Sequence, residues 1–559
     1  RSGLVGPTVT TGWVINSRVS SGDMALFYRN FDDRAGAQAA RRILFACLVG
    51  ERRICSAEWP RKRRQSVYRH EDGWAHILLR ESLGMQETYF QRLSALDATL
   101  LDVEAETAPM HVGAALLFDA KPLTLEHGGL DIARLNKYTQ AALDSIPRYR
   151  QRVEWVPGLG HPVWVDDQRF NMQFHLRHTR LPMPGDLRSL KRLVGRLFSQ
   201  HLDRSRPLWE FWVVEGVEGD RFALVVKVHH CMVDGVAGVQ LLEALLQIMP
   251  NAQEREPEDW TPRQLPSRID LMRSEVKHRV DGLRELSHYM PRVRENFQGL
   301  RRLLTSGMKP APKTIFTERD VSPYRRFDWI SLRLDDVKAI KNALGGTIND
   351  VVVATTTGAV RKFLVRRGED VDSIEGFRTM LPVNTRKMGG LGVGNHVAML
   401  LADLPISEPD PYKRLQKVVE ITTRLKKESN QTGGAELIED IADRTTKRIV
   451  SELYRAAMQL RTYNLVITNV PGPPVPLYLL GAQMEAIYPM VPLMQHQNLG
   501  IALFSYNNGL HWGFNADWES FPDVHEFVED LETSFAEYQA LANARPPEVT
   551  GRDEVPANR

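Results

Sequence analysis

The sequence has few cysteines and no long apolar run, and each shortage excludes a class of protein. Its three cysteines, Cys47, Cys55 and Cys231, are too few for a disulfide framework and are typical of a reducing cytoplasm. No apolar run approaches the roughly 18 residues needed to span a bilayer. No basic start is followed by an apolar core and a small-residue cleavage site, so no secretory signal is predicted. We therefore expect a cytosolic or peripherally bound protein.

An excess of charge of one sign is also missing. The 559 residues include 72 basic and 69 acidic side chains, for a formal net charge of +3, so nucleic acid is not a predicted partner. Neither the spacing Cys-x-x-Cys nor the spacing His-Glu-x-x-His occurs, so no metal site is predicted. The 43% hydrophobic content is that of an ordinary globular protein, and the length predicts two or three domains.

Residues 1–84 differ from the rest of the chain. They hold 14 basic residues against 8 acidic ones and show no sustained apolar periodicity. The basic cluster at 61–64 could be an arm that binds nucleic acid or a membrane. We instead expect an extraneous or disordered extension before a natural start at Met85, because this composition offers little apolar surface to bury.

From residue 85 onward, the hydrophobic patterns alternate between strands and helices. They predict an α/β protein with mixed sheets. An N-terminal lobe is expected over 85–250 and a C-terminal lobe over 327–545, followed by a disordered tail over 546–559. The main predicted elements are strands at 111–119, 222–228, 377–383, 464–469, 501–506 and 510–514, and helices at 187–202, 236–248, 334–344, 347–365 and 523–541.

Between these lobes, residues 251–326 read as a basic helical linker. The stretch 267–304 is dense in arginine, with leucines at intervals. It could be a solvated connection, or a basic amphipathic element that lies on an anionic membrane or lipid surface.

Residues 229–235, with the sequence HHCMVDG, join a predicted strand to a predicted helix. Successive strand residues face opposite sides, so only one of His229 and His230 can easily serve a single site. A neutral imidazole suits the removal of a hydroxyl proton during acyl transfer, since its pKa lies near the working pH. Asp234 could orient a histidine, cap the next helix or pair with an arginine, and we favour a structural role. Cys231 is expected to be a buried thiol.

This spacing, His-His-x-x-x-Asp-Gly, resembles that of chloramphenicol acetyltransferase-like enzymes, which include condensation domains and plant acyltransferases. The resemblance implies that His230 is the general base, and that His229, Asp234 and Gly235 shape the site. A Gly-x-Ser-x-Gly elbow is absent, in keeping with direct attack by the alcohol.

Further motifs follow in order and resemble those of the bacterial, especially actinobacterial, wax ester synthase/diacylglycerol acyltransferase family (triacylglycerol synthases). The resemblance covers about 85–541. It implies two chloramphenicol acetyltransferase-like lobes with a channel to His230 between them. The motifs are LSALDA at 93–98, PMHVG at 109–113, PLW at 207–209, TIND at 347–350, PVNTR at 382–386, GN at 394–395 and NVPGP at 469–473.

The resemblance also implies the reaction. An acyl group would pass from acyl-CoA, a substrate and not a cofactor, to diacylglycerol or to a long-chain alcohol. No cofactor is expected. The insoluble acceptor implies peripheral association with the inner face of the cell membrane or with lipid bodies.

Four more residues are candidates for substrate binding. Asn349 and Asp350 could contact substrate or cap a helix. Arg386 could bind phosphate or CoA, or pair with Asp234, which we favour. Asn384 stands where the family often has serine, a departure that bears on substrate preference.

Three further residues of the motifs lie outside these candidates, and two of them are given structural roles. Asn171 replaces the aspartate usual before a His-x-Arg segment, another departure that bears on substrate preference. Trp209 is expected to be core packing, and His111 is expected to be a satisfied residue of the sheet.

Two other functions remain open from the sequence. One is a condensation-type acyltransferase that uses carrier-protein thioesters, although no carrier module is attached. The other is a non-catalytic lipid-binding paralogue that keeps only the fold, although the intact His230 and Asp234 argue against it.

Overall fold

A computed structural model describes residues 89–233, 235–251, 254–295, 310–384, 397–432, 451–452, 455 and 461–544. All of these except 471–474 belong to one compact unit. The predicted extension over 1–84 and the predicted tail over 546–559 lie outside the described residues.

Strands and helices alternate along the described residues, as the sequence predicts. The strands are β1 (Gln91–Arg92), β2 (His111–Asp119), β3 (Gln151–Trp155), β4 (Pro162–Asp166), β5 (Leu176–Arg180), β6 (Trp209–Val217), β7 (Arg221–His229), β8 (Arg325–Arg333), β9 (Arg378–Asn384), β10 (Val397–Asp403), β11 (Leu465–Pro471), β12 (Tyr478–Leu479), β13 (Ala482–Met490), β14 (Leu499–Tyr506) and β15 (Gly509–Asp517). The helices are α1 (Ala95–Val103), α2 (Ile132–Leu143), α3 (Leu187–Ser199), α4 (Gly235–Leu245), α5 (Arg268–Glu295), α6 (Leu334–Leu344), α7 (Ile348–Arg366), α8 (Pro411–Thr432) and α9 (Val524–Ala544).

The first six-stranded sheet has the order β12-β13-β2-β7-β6-β5. Its central strands β2 and β7 are apolar and β-branched, and they pair antiparallel from His111 opposite His229 to Asp119 opposite Arg221. Buried aromatic rings fill its core, among them Phe118 stacked on Phe222 with ring centroids 5.1 Å apart. Because β12 and β13 lie after residue 470, residues 85–250 do not build this sheet alone.

The second six-stranded sheet has the order β10-β9-β11-β14-β15-β8. Helices α7 and α9 pack in the same core, where rings such as Phe363 and Phe521 stack at 4.8 Å between centroids. The hairpin of β14 and β15 turns at Asn507 and Asn508, both with positive φ. Asparagine tolerates this left-handed conformation, so these two residues can form the tight turn between the strands predicted at 501–506 and 510–514.

The observed mixed sheets confirm the predicted fold class, with two lobes that each have a sheet and a core. The proposed lobe boundaries and the channel between the lobes stay predictions. The linker is helical over α5, and Leu271 of this helix packs with Val156 and Val163 beside the three-stranded sheet β1-β4-β3. Among the helices that the structure describes, none is long and apolar enough to cross a membrane.

Candidate active site

The histidine motif lies where the central strand of the first sheet ends. Strand β7 stops at His229, a single 3₁₀ turn covers His230–Met232, and α4 begins at Gly235. Asp234 lies outside the described residues, so its pairing with Arg386, which is also outside them, stays a prediction. His229 is the last residue of the strand and His230 the first of the turn, so strand alternation alone does not fix the direction of the His230 side chain.

His229 is buried and held by its own turn. The backbone N–H of Cys231 donates to His229 Nδ1 at 3.1 Å, so the ring proton of the neutral imidazole is on Nε2. That Nε2 atom lies 3.7 Å from Oε1 of Glu104. The fixed tautomer fits His229 to a supporting role beside its neighbour.

His230 is only partly buried, unlike His229. Burial lowers the pKa of its imidazole, and the nearby His229 lowers it further, while a hydrogen bond to its own backbone acts in the opposite direction. Its backbone N–H donates to the carbonyl of Met110 at 2.8 Å. A neutral ring on a fixed backbone is the state that a general base requires.

The carboxylate of Glu104 lies at the centre of a cluster of imidazoles. Its Oε1 atom is 3.5 Å from Nε2 of His111, 3.6 Å from Nδ1 of His201 and 3.7 Å from Nε2 of His229. Arg204 donates to Oε2 at 2.6 Å. Burial acts to raise the pKa of Glu104, but interactions with His229 and Arg204 outweigh it and the pKa is lowered. The carboxylate is therefore charged.

His111 lies in the sheet as expected, but the expectation that its ring nitrogens are hydrogen-bonded is wrong. It is 2% exposed, and neither ring nitrogen makes a hydrogen bond. The reason is its position opposite His229, where its ring faces other imidazoles and one carboxylate instead of backbone carbonyls.

Among the described residues, one group has the geometry of a possible metal site. The ligand atoms of Glu104, His111 and His201 all lie within 4.8 Å of one another. Arg204 already places a positive charge on that carboxylate, and a second cation there would be repelled. We interpret the cluster as one carboxylate surrounded by imidazoles and balanced by Arg204. The absence of a metal stays a prediction.

The candidate residues at the start of α7 make a helix cap. Thr347 is the N-cap. Its backbone N–H and its hydroxyl both donate to one carboxylate oxygen of Asp350, each at 2.8 Å. The other carboxylate oxygen of Asp350 accepts from the hydroxyl of Thr422 at 2.7 Å. The cap that the sequence left open for Asp350 is thus present, whereas Asn349 is partly exposed and its contact with substrate stays a prediction.

Asn384 ends β9, where it pairs with Val397 of β10. Its backbone alone is described, and Arg386 lies outside the described residues. Substrate binding by these two residues stays a prediction.

Two expectations of core packing are confirmed. The ring of Trp209 is fully buried, its Nε1 donates to the carbonyl of Tyr149 at 2.8 Å, and it stacks on His175 with centroids 4.5 Å apart. Cys231 is buried, and burial raises the pKa of its thiol well above the usual range, so it is not a nucleophilic thiolate.

Sequence reasoning missed Glu104, His201 and Arg204. Glu104 lies between the motifs at 93–98 and 109–113, and Arg204 lies just before the element at 207–209. Their position beside motif residues was the available signal. A lone carboxylate has no spacing pattern, so only the fold connects it to residue 229.

Comparison with known proteins supports an acyltransferase. The profile of the "Wax ester synthase/diacylglycerol acyltransferase catalytic domain" matches residues 93–352, and that of the "WS/DGAT C-terminal domain" matches 393–539. A putative diacylglycerol O-acyltransferase of Mycobacterium tuberculosis is 30% identical over 465 residues, covering 81% of this chain and 96% of that protein. An O-acyltransferase of Acinetobacter baylyi is 29% identical, covering 80% and 97%.

Solved structures agree with these relatives. The wax ester synthase/diacylglycerol acyltransferase from Marinobacter aquaeolei VT8 superposes with a TM-score of 0.58 at 27% identity, covering 81% of this chain and all of that one. The first condensation domain of the calcium-dependent antibiotic synthetase shares the fold, with a TM-score of 0.52 at 15% identity and coverage of 82% and 97%. This chain therefore belongs to the wax ester synthase/diacylglycerol acyltransferase family and is an acyltransferase.

Proposed function

We propose that the chain transfers a long-chain acyl group from acyl-CoA to the free hydroxyl of diacylglycerol and so makes triacylglycerol. Long-chain alcohols are the second class of acceptor and give wax esters. The observation that carries the proposal is His230, a partly buried residue just after β7 whose imidazole pKa is lowered by burial. The names of the relatives, diacylglycerol O-acyltransferases among them, support this choice of substrates.

The proposed step uses one protein base. The hydroxyl oxygen attacks the thioester carbonyl carbon while His230 takes the hydroxyl proton. The tetrahedral intermediate then collapses, the carbon–sulfur bond breaks, and the proton passes from His230 to the CoA sulfur. No cofactor is needed for this balance. Such a base contributes roughly 10²–10⁴-fold to the rate.

The test is an assay of purified protein with labelled palmitoyl-CoA and either dioleoylglycerol or hexadecanol. Triacylglycerol should form and should fall at least about a hundredfold in His230→Ala, in line with the loss of a general base. The matched control is His127→Ala, an exposed histidine that should leave the rate unchanged. If wild-type protein forms no triacylglycerol and no wax ester from palmitoyl-CoA, the proposed reaction is wrong. Full activity in His230→Ala would overturn the base alone, and product only from a carrier-protein thioester would favour a condensation enzyme.

We also propose that α5 places the enzyme on an anionic phospholipid surface, at the inner face of the cell membrane or on lipid bodies. The side chains of Ile269, Met272, Val276 and Val280 are spaced by three or four residues, so they form one stripe along the helix. They are 42–61% exposed.

The opposite face of α5 is bound to the protein. Leu271 packs in a buried cluster, and Glu275 pairs with Arg92 at 3.0 Å. Exposed Arg273 and Lys277 flank the apolar stripe on one side. A helix with an apolar stripe and flanking cations lies in the plane of a membrane interface and favours anionic lipids.

Sedimentation with vesicles tests this surface. Wild-type protein should pellet with vesicles that contain 30% phosphatidylglycerol, and Ile269→Ser/Val276→Ser should pellet at least tenfold less. The control Val365→Ser removes an apolar side chain of similar exposure on α7 and should pellet with vesicles as wild type does. Equal binding of the α5 variant and the control would overturn the role of α5.

A further inference from the structure

We propose that Glu104 is a positioning residue for His230, and this inference builds on the proposed role of His230 as the base. The first link runs through the backbone. The N–H of Met110 donates to Oε1 of Glu104 at 3.0 Å, and the carbonyl of Met110 accepts from the N–H of His230 at 2.8 Å. One residue thus connects the carboxylate to the main chain of the base.

The second link runs through the neighbouring imidazole. Because the N–H of Cys231 fills Nδ1 of His229, the proton on Nε2 faces Oε1 of Glu104 at 3.7 Å. The negative charge favours this tautomer and this ring orientation over their alternatives. His229 and Cys231 flank His230 in the chain, so the orientation of the His229 ring bears on the turn that carries the base.

The third feature fixes the carboxylate itself. Two guanidinium nitrogens of Arg204 donate to Oε2 of Glu104, at 2.6 and 3.2 Å, and one of them also donates to the carbonyl of Leu101 at 2.9 Å. Leu101 belongs to α1, so the carboxylate is anchored to a rigid helix. Each oxygen of Glu104 therefore has its own donor.

Only a carboxylate can accept from Met110 with one oxygen and from Arg204 with the other. Glutamine has one acceptor oxygen and one NH₂ group, so either Arg204 or the Met110 N–H would face a donor. The charge of Arg204 would also stay unbalanced beside His229. In metal enzymes, mutation of the outer groups that orient the metal-binding histidines typically lowers metal affinity or activity by roughly 10–100-fold.

The direct test compares Glu104→Gln with Glu106→Gln. Glu106 is exposed, and its backbone carbonyl, not its side chain, accepts from His201. For Glu104→Gln we expect kcat for triacylglycerol synthesis to fall at least about tenfold. The KM values for palmitoyl-CoA and dioleoylglycerol should change less than about twofold, since this carboxylate is buried and each of its oxygens already accepts from a protein donor. Glu106→Gln should keep the wild-type kcat.

A second readout reports on orientation without turnover. In protein labelled with ¹⁵N-histidine, the His229 signal, assigned by its loss in His229→Gln, should show protonation at Nε2. This signature should change in Glu104→Gln and persist in Glu106→Gln. An unchanged His229 signal with a wild-type kcat would overturn the inference. If wild-type enzyme makes no triacylglycerol, the proposed function fails, and the ¹⁵N signals still decide the positioning.

Should Glu104→Gln fail to fold, Arg204→Gln offers a second variant, because Arg204 is partly exposed. It should lower kcat by a smaller factor. Where Glu104→Gln does fold, the loss of kcat in the double variant should not exceed that of Glu104→Gln, since both side chains act through one carboxylate. Losses of kcat that multiply, or an Arg204→Gln enzyme with wild-type kcat and an unchanged His229 signal, would overturn the inference.

Discussion

His111 faces His229 across the paired strands β2 and β7, with the centroids of the two rings 6.2 Å apart. Burial lowers the pKa of His111 well below 6.5, and the positive charge of Lys227 lowers it further, while Glu104 acts in the opposite direction. The ring is therefore neutral in the folded protein and titrates normally in the unfolded chain.

We expect His111 to make the fold sensitive to acid. As the pH falls below 6.5, the unfolded chain binds a proton at residue 111 that the folded chain does not bind. The free energy of unfolding then decreases, by at most about 1.4 kcal/mol per pH unit from this group. His111→Gln should lose less of its unfolding free energy between pH 7 and pH 5, as measured by urea denaturation at each pH. The exposed His127→Gln should follow wild type, and a His111→Gln curve parallel to wild type would contradict this account.

The pH dependence of kcat/KM should reflect the lowered pKa of His230. The base acts when neutral, and burial and His229 hold its pKa below 6.5. More than half of the limiting kcat/KM should therefore remain at pH 6.5, with the acidic limb below that value. Cys231→Ala should keep the same limb, because the thiol stays protonated in this range. An acidic limb centred above pH 6.5 would contradict the assignment.

Much of the fold could be predicted from the sequence, because apolar and β-branched runs carry their own period. Strand β2 and helix α6 have the predicted bounds, and β7 differs from its prediction by one residue at each end. The predicted strands at 501–506 and 510–514 pair as a hairpin, and the second begins one residue earlier than predicted because Gly509 pairs with Tyr506.

The pairing of strands that are distant in the sequence could not be predicted. Strand β13 pairs with β2, placing Met490 opposite Gly113, and no local pattern encodes a partner so distant in sequence. The same limit applies to the site: His230 follows from a motif, whereas Glu104 gains its role only when the pairing of β2 with β7 brings His230 to Met110.

Asn349 and Asp350 should separate in a mutational test. Asp350 is buried, with one oxygen in the cap of α7 and the other accepting from Thr422, so Asp350→Ala should lower the free energy of unfolding by about 2 kcal/mol. Asn349→Ala should change stability by less than about 0.5 kcal/mol, as do most substitutions away from such features. If Asn349 binds substrate, the KM of the Asn349→Ala enzyme for palmitoyl-CoA should rise. Urea denaturation and steady-state kinetics on both variants check this, and an unchanged KM in Asn349→Ala would remove Asn349 from the substrate site.

Removal of metal ions should leave the enzyme active. Among the described residues, the group of Glu104, His111 and His201 has the spacing of metal ligands, yet Arg204 donates twice to the same carboxylate. Because that guanidinium already balances the charge of Glu104, a divalent ion would add repulsion at a short distance. Dialysis against EDTA should leave kcat unchanged, and elemental analysis of the untreated enzyme should find far less than one equivalent of zinc. One tightly bound equivalent, lost together with activity in His111→Gln and His201→Gln, would show that the three side chains hold a metal and that Arg204 moves aside for it.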